Sequence, residues 1–344
     1  MGLRSLDVAS MEMALREAEK GCGHTRPNPP VGAVVLKDGR VIGKGHHRRC
    51  GGDHAEVAAL KNCRESPRGA TVFVTLEPCS RPGRVGACTA ALIAAGVKRV
   101  EWAIPDPNPT NRGRAARVLH RAGIETACWS AKPQRATQAV VERANRLIAP
   151  FAKHVRTGLP FVTVKIALSL DGKICDDQGR SRWISSPASR AWTGDWRSRV
   201  DCMLVGAETV RRDNPSLLCH ARRNDDLFRA VVTRRGDLPK SSQIFTDAAK
   251  ERTLVYRVGE GTVKSLADVL CDLGRRGFMH VFCEGGLNLA RSLADEGLVD
   301  EWLTVLCPLV IGSRPISEAL RFDRVESVSS EGVDFIGRSL CLRD

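Results

Sequence analysis

The residues able to do chemistry fall into two groups. In the first, His54-Ala55-Glu56 stands where a helix is expected to begin, Pro78-Cys79 ends an expected strand, and Cys88 follows nine positions later. One imidazole and two thiolates are three of the four ligands of a tetrahedral zinc, leaving the fourth place to water. Zinc lowers the pKa of such a water to roughly 7. Glu56, two residues from His54, is then placed to move protons rather than to ligate, from the water to a ring nitrogen and on to a leaving amine. Cys88 immediately precedes an expected helix, whose first amides favour a thiolate. Each residue alone reads as a core cysteine or a surface histidine; the combination predicts a hydrolytic deaminase centre. The general signature of such centres has the cysteines closer, as Pro-Cys-x-x-Cys.

The second group lies beyond residue 160. Lys165 sits in the run Val164-Lys165-Ile166-Ala167-Leu168-Ser169, which ends in the turn Leu170-Asp171-Gly172. Trp183-Ile184-Ser185-Ser186 opens a helix with serine capping chemistry. Gly206-Ala207-Glu208-Thr209 and Glu284-Gly285-Gly286 each follow an apolar strand, and Asp213-Asn214-Pro215-Ser216-Leu217 comes after the first of them. Glycines at a strand-to-helix turn let backbone amides approach a pyrophosphate. There is no GxGxxG fingerprint, and Gly285-Gly286 alone is an ordinary turn. Asp171 suits a turn cap equally well. Arg190 and Arg197 are seven residues apart, close to two helical turns, so one helical stripe carries both.

These residues need elements to hold them. Helical spacing covers 8–20, 55–61, 89–95, 112–122 and 133–148; strands are predicted at 31–36, 40–45, 70–75 and 97–104. Asp38-Gly39 makes a hairpin turn between the first two strands. Pro150, the basic stretch at 153–156 and Gly158 interrupt the pattern, and a boundary is set there, giving one domain over 1–149, which carries the deaminase centre, and a second over 150–344. The second half alternates strands at 161–168, 200–205, 228–233, 253–258, 278–283 and 301–306 with helices at 186–197, 266–275 and 287–295. Both halves read as α/β layers.

Composition limits the rest. At 344 residues there is chain enough for two cores. No apolar run reaches the roughly 18 residues of a membrane span, and no signal-peptide core precedes the first helix, so a cytoplasmic protein with no membrane partner is expected. Thirteen cysteines without an export signal argue against a disulfide framework, and Cys202, Cys271, Cys283 and Cys307 are expected to be buried. The net charge of +14 fits either a nucleic-acid partner or phosphorylated small molecules. Aromatics are 5% and do not interleave with the arginines, which favours the second and predicts no nucleic-acid partner.

Thr75-Leu76-Glu77-Pro78-Cys79-Ser80 with Cys88 after a Gly-containing insert, Pro27-Asn28-Pro29 leading into Val31-Gly32, and Asp106-Pro107-Asn108-Pro109 together resemble the RibD family of bifunctional riboflavin-biosynthesis enzymes. The second group resembles the reductase domain of the same family, and the likeness covers roughly residues 7–344. It implies an α/β fold: an N-terminal cytidine-deaminase-like α/β/α domain and a C-terminal dihydrofolate-reductase-like α/β domain. It implies zinc on His54, Cys79 and Cys88 with Glu56 as proton shuttle, and Asn28, His47, Arg84, Asp106 and Asn108 around the first substrate. In the second site it implies Lys165, Ser185, Arg197, Asp213 and Glu284 around the substrate, and Ser169, Gly206, Thr209, Gly285 and Gly286 around NADPH. The implied activity is deamination of a phosphoribosylamino-pyrimidine, then NADPH-dependent reduction of its ribosyl group to ribityl, in a homo-oligomer. Lys165 would polarise the sugar oxygen or bind the pyrimidine. The chain departs from the family at Arg81, at Val85-Gly86-Ala87, at Glu208 and at His220, where a family arginine is missing. Arg197 is therefore expected to carry much of the phosphate binding, with Arg222 or Arg223 as substitutes for the missing arginine. Alternative readings are a reductase with a drifted deaminase domain, a zinc deaminase acting on tRNA or other nucleic acid, and a zinc-stabilised interaction module.

Overall fold

The computed structural model describes residues 5–81, 86–131, 134–180, 184–219, 224–259, 261 and 263–313, and the backbone of 320–321, 330–331 and 334–340. The chain divides into two compact units, Met1–Gly158 and Leu159–Asp344.

The first unit runs α1 (Ser5–Glu19), β1 (Gly32–Lys37), β2 (Arg40–His46), α2 (Ala55–Lys61), β3 (Thr71–Leu76), α3 (Cys88–Ala94), β4 (Arg99–Ile104), α4 (Arg114–Arg121), β5 (Glu125–Cys128) and α5 (Arg135–Thr157). Its sheet has the order β2-β1-β3-β4-β5. β1 is antiparallel to both neighbours, while β3, β4 and β5 run parallel. Asp38 and Gly39 turn the hairpin with φ of 47° and 76°, the left-handed pair that a two-residue turn needs. Alternation along the strands sorts the core. Val34, Leu36 and Phe73 pack under α1 and α5; Ala33, Val35, Val72 and Val74 pack under α2, α3 and α4. The result is an α/β/α sandwich.

The second unit runs β6 (Phe161–Ser169), α6 (Pro187–Arg197), β7 (Cys202–Gly206), α7 (Ala207–Asp213), β8 (Phe228–Thr233), α8 (Gln243–Thr246), β9 (Thr253–Arg257), α9 (Leu266–Arg275), β10 (His280–Cys283), α10 (Leu287–Asp295), β11 (Glu301–Cys307), β12 (Leu309–Val310), β13 (Leu320–Arg321), β14 (Ser330–Glu331) and β15 (Asp334–Leu340). Its main sheet has the order β14-β15-β11-β6-β10-β7-β8-β9, parallel from β11 to β9 and antiparallel at β14 and β15. Leu266, Val269, Leu270 and Leu273 of α9 and Ala290 and Leu293 of α10 close one face. Trp192 and Trp196 of α6, Val210 of α7 and Ile244 of α8 lie against the other. In such sheets ligands bind beyond the carboxyl ends of the parallel strands.

Two expectations change and a third holds. The helix predicted to stop at 148 continues through Pro150 to Thr157, and Gly158 ends it with φ 73°. Val140, Val141, Ala144 and Ile148 are buried under the first sheet, and that burial offsets the lost proline hydrogen bond, about 3 kcal/mol. The break set at Pro150 therefore falls inside a helix. Cys202, Cys283 and Cys307 are buried as expected, but Cys271 is exposed, on the outer side of α9. Ser186 caps α6 by accepting from Ser189 N at 3.1 Å.

Arg229 of β8 is fully buried. Its Nη1 and Nη2 donate to Asp247 at 2.6 and 2.9 Å, and also to the carbonyls of Ser216 and Ile244, each at 2.9 Å. Removing one partner of such a pair leaves the other uncompensated. Arg229→Met is expected to destabilise the protein by about 3–5 kcal/mol in urea unfolding; an unchanged midpoint would show the pair to be dispensable.

Candidate active sites

The ends of β3 and the starts of α2 and α3 meet on one side of the first sheet. His54 is the N-cap of α2, Cys79 lies just past β3, and Cys88 is the first residue of α3. Their ligand atoms all lie within 4.8 Å of one another. His54 Nδ1 is 3.1 Å from Cys88 Sγ and 3.5 Å from Cys79 Sγ, and the two sulfurs are 3.2 Å apart. The imidazole thus faces the sulfurs through Nδ1. Cys79 is pushed down to about 4, first by the Cys88 thiol and then by His54 and the Cys88 amide. Cys88 is pushed the other way, because its neighbour already carries the charge. A cation between the sulfurs lets both ionise, so the donor set fits zinc.

Glu56, in the first turn of α2, is 3% exposed. Burial, and then the Cys79 charge, push its carboxyl up to about 7, where it can both take and return a proton. Beside it the His47 and His54 rings meet edge to face, 5.2 Å apart. Asn28 Nδ2 donates to His47 Nε2 at 3.0 Å, so His47 Nδ1 carries the proton and donates to the Asp53 carbonyl at 2.9 Å. Burial keeps His47 in this neutral form.

Asp106 and Asn108 lie beyond β4. Asp106 Oδ1 accepts from Asn108 N at 2.8 Å, and Asn108 Oδ1 accepts from Thr110 N and Oγ1 at 3.0 and 2.8 Å. The carbonyl of Asn108 therefore shapes its own loop. Arg84 lies outside the described residues, as do His220, Arg222 and Arg223. The sequence reading passed over Glu77 and Asn111. Glu77 accepts from the amides of Asp106, Gly113 and Ala115 at 3.3, 3.0 and 3.2 Å, tying the end of β3 to the loop after β4. A carboxylate directly after an apolar strand was the available signal for it; Asn111 had none.

In the second unit, Lys165 and Glu284 sit on adjacent parallel strands, Glu284 one residue past Cys283, which pairs with Val164. Arg197 forks onto Glu284, Nε to Oε1 at 2.7 Å and Nη2 to Oε2 at 3.0 Å. Burial would raise Glu284, but Arg197 and then Lys165 hold it below the usual carboxylate range. Gly206 and Gly286 cap α7 and α10 with φ of −83° and −61°, so neither is glycine for the sake of a left-handed backbone. Their missing side chains instead leave the ends of β7 and β10 open to close approach. Ser185, Thr209 and Asp213 are half-buried, the first before α6 and the others on α7; Gly285 is buried beside Leu289.

Two more residues of the expected second site are placed. The guanidinium of Arg197 bonds to Glu284 and, through Nη1, to the Leu218 carbonyl at 3.4 Å. Ser169 is fully buried and its hydroxyl bonds within its own turn, accepting from Lys173 N at 2.9 Å and donating to Lys173 O at 3.2 Å. One departure from the family and one expected turn cap are also placed. Glu208 turns to solvent and pairs with Arg211 and Arg212, and Asp171 accepts from Ile311 N and Gly312 N at 3.1 and 2.8 Å as a turn cap.

The cytidine and deoxycytidylate deaminase zinc-binding region matches residues 4–104, and the RibD C-terminal domain matches residues 160–334. The riboflavin biosynthesis protein RibD of Escherichia coli is 34% identical over 89% of this chain and 89% of its own length. That of Mycobacterium tuberculosis is 36% identical over 96% of each. A solved structure of a diaminohydroxyphosphoribosylaminopyrimidine deaminase/5-amino-6-(5-phosphoribosylamino)uracil reductase from Thermotoga maritima superposes with a TM-score of 0.84 at 31% identity, covering 98% of this chain and 99% of that one.

The zinc assignment is open to direct test. Cys79→Ala is expected to lose the metal, measured by elemental analysis of the purified protein, and with it all ammonia release. Full zinc retention would remove Cys79 from the ligand set.

Proposed function

As the chain belongs to the RibD family, we propose that it makes a riboflavin precursor in two steps, deaminating a phosphoribosylamino-pyrimidine in its first unit and reducing the ribosyl group to ribityl in its second. One observation carries this reading: the donor atoms of His54, Cys79 and Cys88 converge within 4.8 Å beside the buried carboxyl of Glu56. Zinc, held by those three, supplies a Lewis acid that makes water nucleophilic near neutral pH. Glu56 takes a proton from the attacking water at a carboxylate oxygen. It gives that proton to the ring nitrogen, then takes the second from the hydroxyl newly bonded to the ring carbon and passes it to the amine, which leaves as ammonia as the carbonyl forms. Asn28 and His47 orient the pyrimidine edge, His47 as a neutral imidazole fixed by its bonds to Asn28 and Asp53. Asp106 faces the same substrate from the loop after β4. The assembled trio and shuttle favour an active deaminase over a drifted one.

In the second unit, NADPH supplies the hydride. Gly206, Gly285 and Gly286 give its phosphates access to backbone amides at the strand ends. Lys165 lies at the charged edge made by Glu284 and Arg197, where its ammonium can polarise the opened sugar's oxygen. The Arg197–Glu284 pair holds that edge in shape. Among the described residues no helix is long and apolar enough to cross a membrane. The proposed setting is the cytoplasm, the partner a small phosphorylated pyrimidine, and the state a homo-oligomer.

Two substitutions separate the activities. Glu56→Gln is expected to slow ammonia release about 100- to 10,000-fold, while the reduction of already deaminated substrate continues; equal loss of both would misplace the sites. Arg197→Met leaves Glu284 buried without its fork. Its reductase kcat/KM is expected to fall for phosphorylated and dephosphorylated substrates alike, whereas a loss confined to the phosphorylated one would return Arg197 to the phosphate.

A further inference from the structure

Pro78-Cys79-Ser80 carries a metal ligand but belongs to no strand or helix. Its backbone groups have no ladder to join and need other partners. The Cys79 carbonyl accepts from Thr89 N at 3.1 Å, and Asn111, in the turn between β4 and α4 and only 8% exposed, serves the residues on either side. Its Oδ1 accepts from Ser80 N at 3.0 Å and from Ser80 Oγ at 3.1 Å. Its Nδ2 donates to the Pro78 carbonyl at 3.3 Å and to Asp106 Oδ2 at 3.0 Å. One side chain therefore grips the backbone on both sides of Cys79 and, with the same amino group, a carboxylate of the substrate loop.

We propose that Asn111 is a positioning residue of the deaminase site, setting the Cys79 sulfur and the Asp106 carboxylate at a fixed distance from each other. This rests on the reading of His54, Cys79 and Cys88 as the zinc ligands. Only a carboxamide meets the four contacts, because two partners donate and two accept. A leucine of similar size loses all four. An aspartate keeps the two from Ser80, loses both donations, and sets a negative charge against Asp106. Partners that orient a ligand typically account for 10- to 100-fold in metal affinity. The link also makes the two halves of the site interdependent: movement of the cysteine loop moves Asp106 with it.

The test compares Asn111→Leu and Asn111→Asp in the full chain. Zinc affinity is read by competition with a chelator, and the cysteine geometry by the thiolate absorption of the protein loaded with cobalt in place of zinc. KM and kcat for deamination complete the set. Asn111→Leu is expected to lose about 10- to 100-fold in zinc affinity, to shift the cobalt band and to raise KM. Asn111→Asp, close to isosteric and the variant to rely on should the leucine protein fail to fold, is expected to keep most of the zinc affinity but to raise KM sharply. A residue that only stabilised the fold would lower the unfolding midpoint without that split. Wild-type zinc affinity, cobalt band and KM in the aspartate variant would overturn the inference. Failure of the parent protein itself to bind zinc would sink the metal reading, and this inference with it.

Discussion

Two cysteine sulfurs held 3.2 Å apart cannot both carry charge unless a cation lies against them. Much of the first unit serves to impose that distance. Cys79 comes from the carboxyl end of a parallel strand, Cys88 from the first turn of a helix, and His54 from the cap of another. Each is a place where the backbone has just left or not yet joined a regular ladder, so the side chain is held by a rigid element yet points out of it. The helix start also faces Cys79 with an amide, Cys88 N to Cys79 Sγ at 3.2 Å. Their mutual contact splits the pair, Cys79 being pushed down and Cys88 up. The same cluster sets the state of Glu56, since the charge on Cys79 adds to burial in favouring the protonated carboxyl.

Buried carboxylates do the corresponding work elsewhere, as splints and not as reactants. Glu77 gathers three amides from the loop after β4 and the first turn of α4. Asp201 accepts from Met279 N and His280 N at 2.8 and 2.9 Å and so fixes the entry to β10. A charged acceptor bonded to backbone amides is stronger than a neutral one, and it adds no side-chain disorder of its own. In the first unit this holds the loops beside the metal ligands, and in the second it fixes the amino end of β10, at the other end of the strand from Glu284.

The parts of this molecule that were legible in the sequence share a property: each depends on neighbours in the chain. The alternation in β1, the Asp38-Gly39 turn, the Ser186 cap and the His-x-Glu spacing are all local. The zinc set is the exception, since its members are distant in the chain and only their combination marks them. What stayed hidden depends on partners far along the chain. Pro150 reads as a helix stop because its own hydrogen bond is lost, whereas the burial that carries the helix past it comes from strands that end by residue 104. Nothing near Arg197 in the chain announces its carboxylate partner, because Glu284 is 87 residues away. Glu208 looks like a carboxylate opposed to a phosphate until its two arginines, three and four residues on, draw it to solvent. Asn111 carries no local signal, because its four bonds all run to other segments or to a carboxylate whose place the fold decides.

The loop from Asp213 to Cys219 shows why the buried arginines matter more than their charge. Asn214 and Leu217 adopt φ of 41° and 57° without being glycine. Each costs of order 1–2 kcal/mol and persists only where the surroundings over-determine the backbone. Here they do. Arg229 holds the Ser216 carbonyl from beneath, Arg197 reaches the Leu218 carbonyl from α6, and Gln243 N donates to Asn214 Oδ1 at 2.7 Å. Leu217 is meanwhile buried in the core. Both arginines are themselves fixed by a carboxylate, Arg229 by Asp247 and Arg197 by Glu284, so neither can follow the loop if it relaxes. An ion pair in such a place adds little net stability, because desolvation offsets the attraction between the charges. Its value lies in direction: a guanidinium locked to a carboxylate presents its remaining N–H groups along fixed lines, and the strained loop is built to meet them.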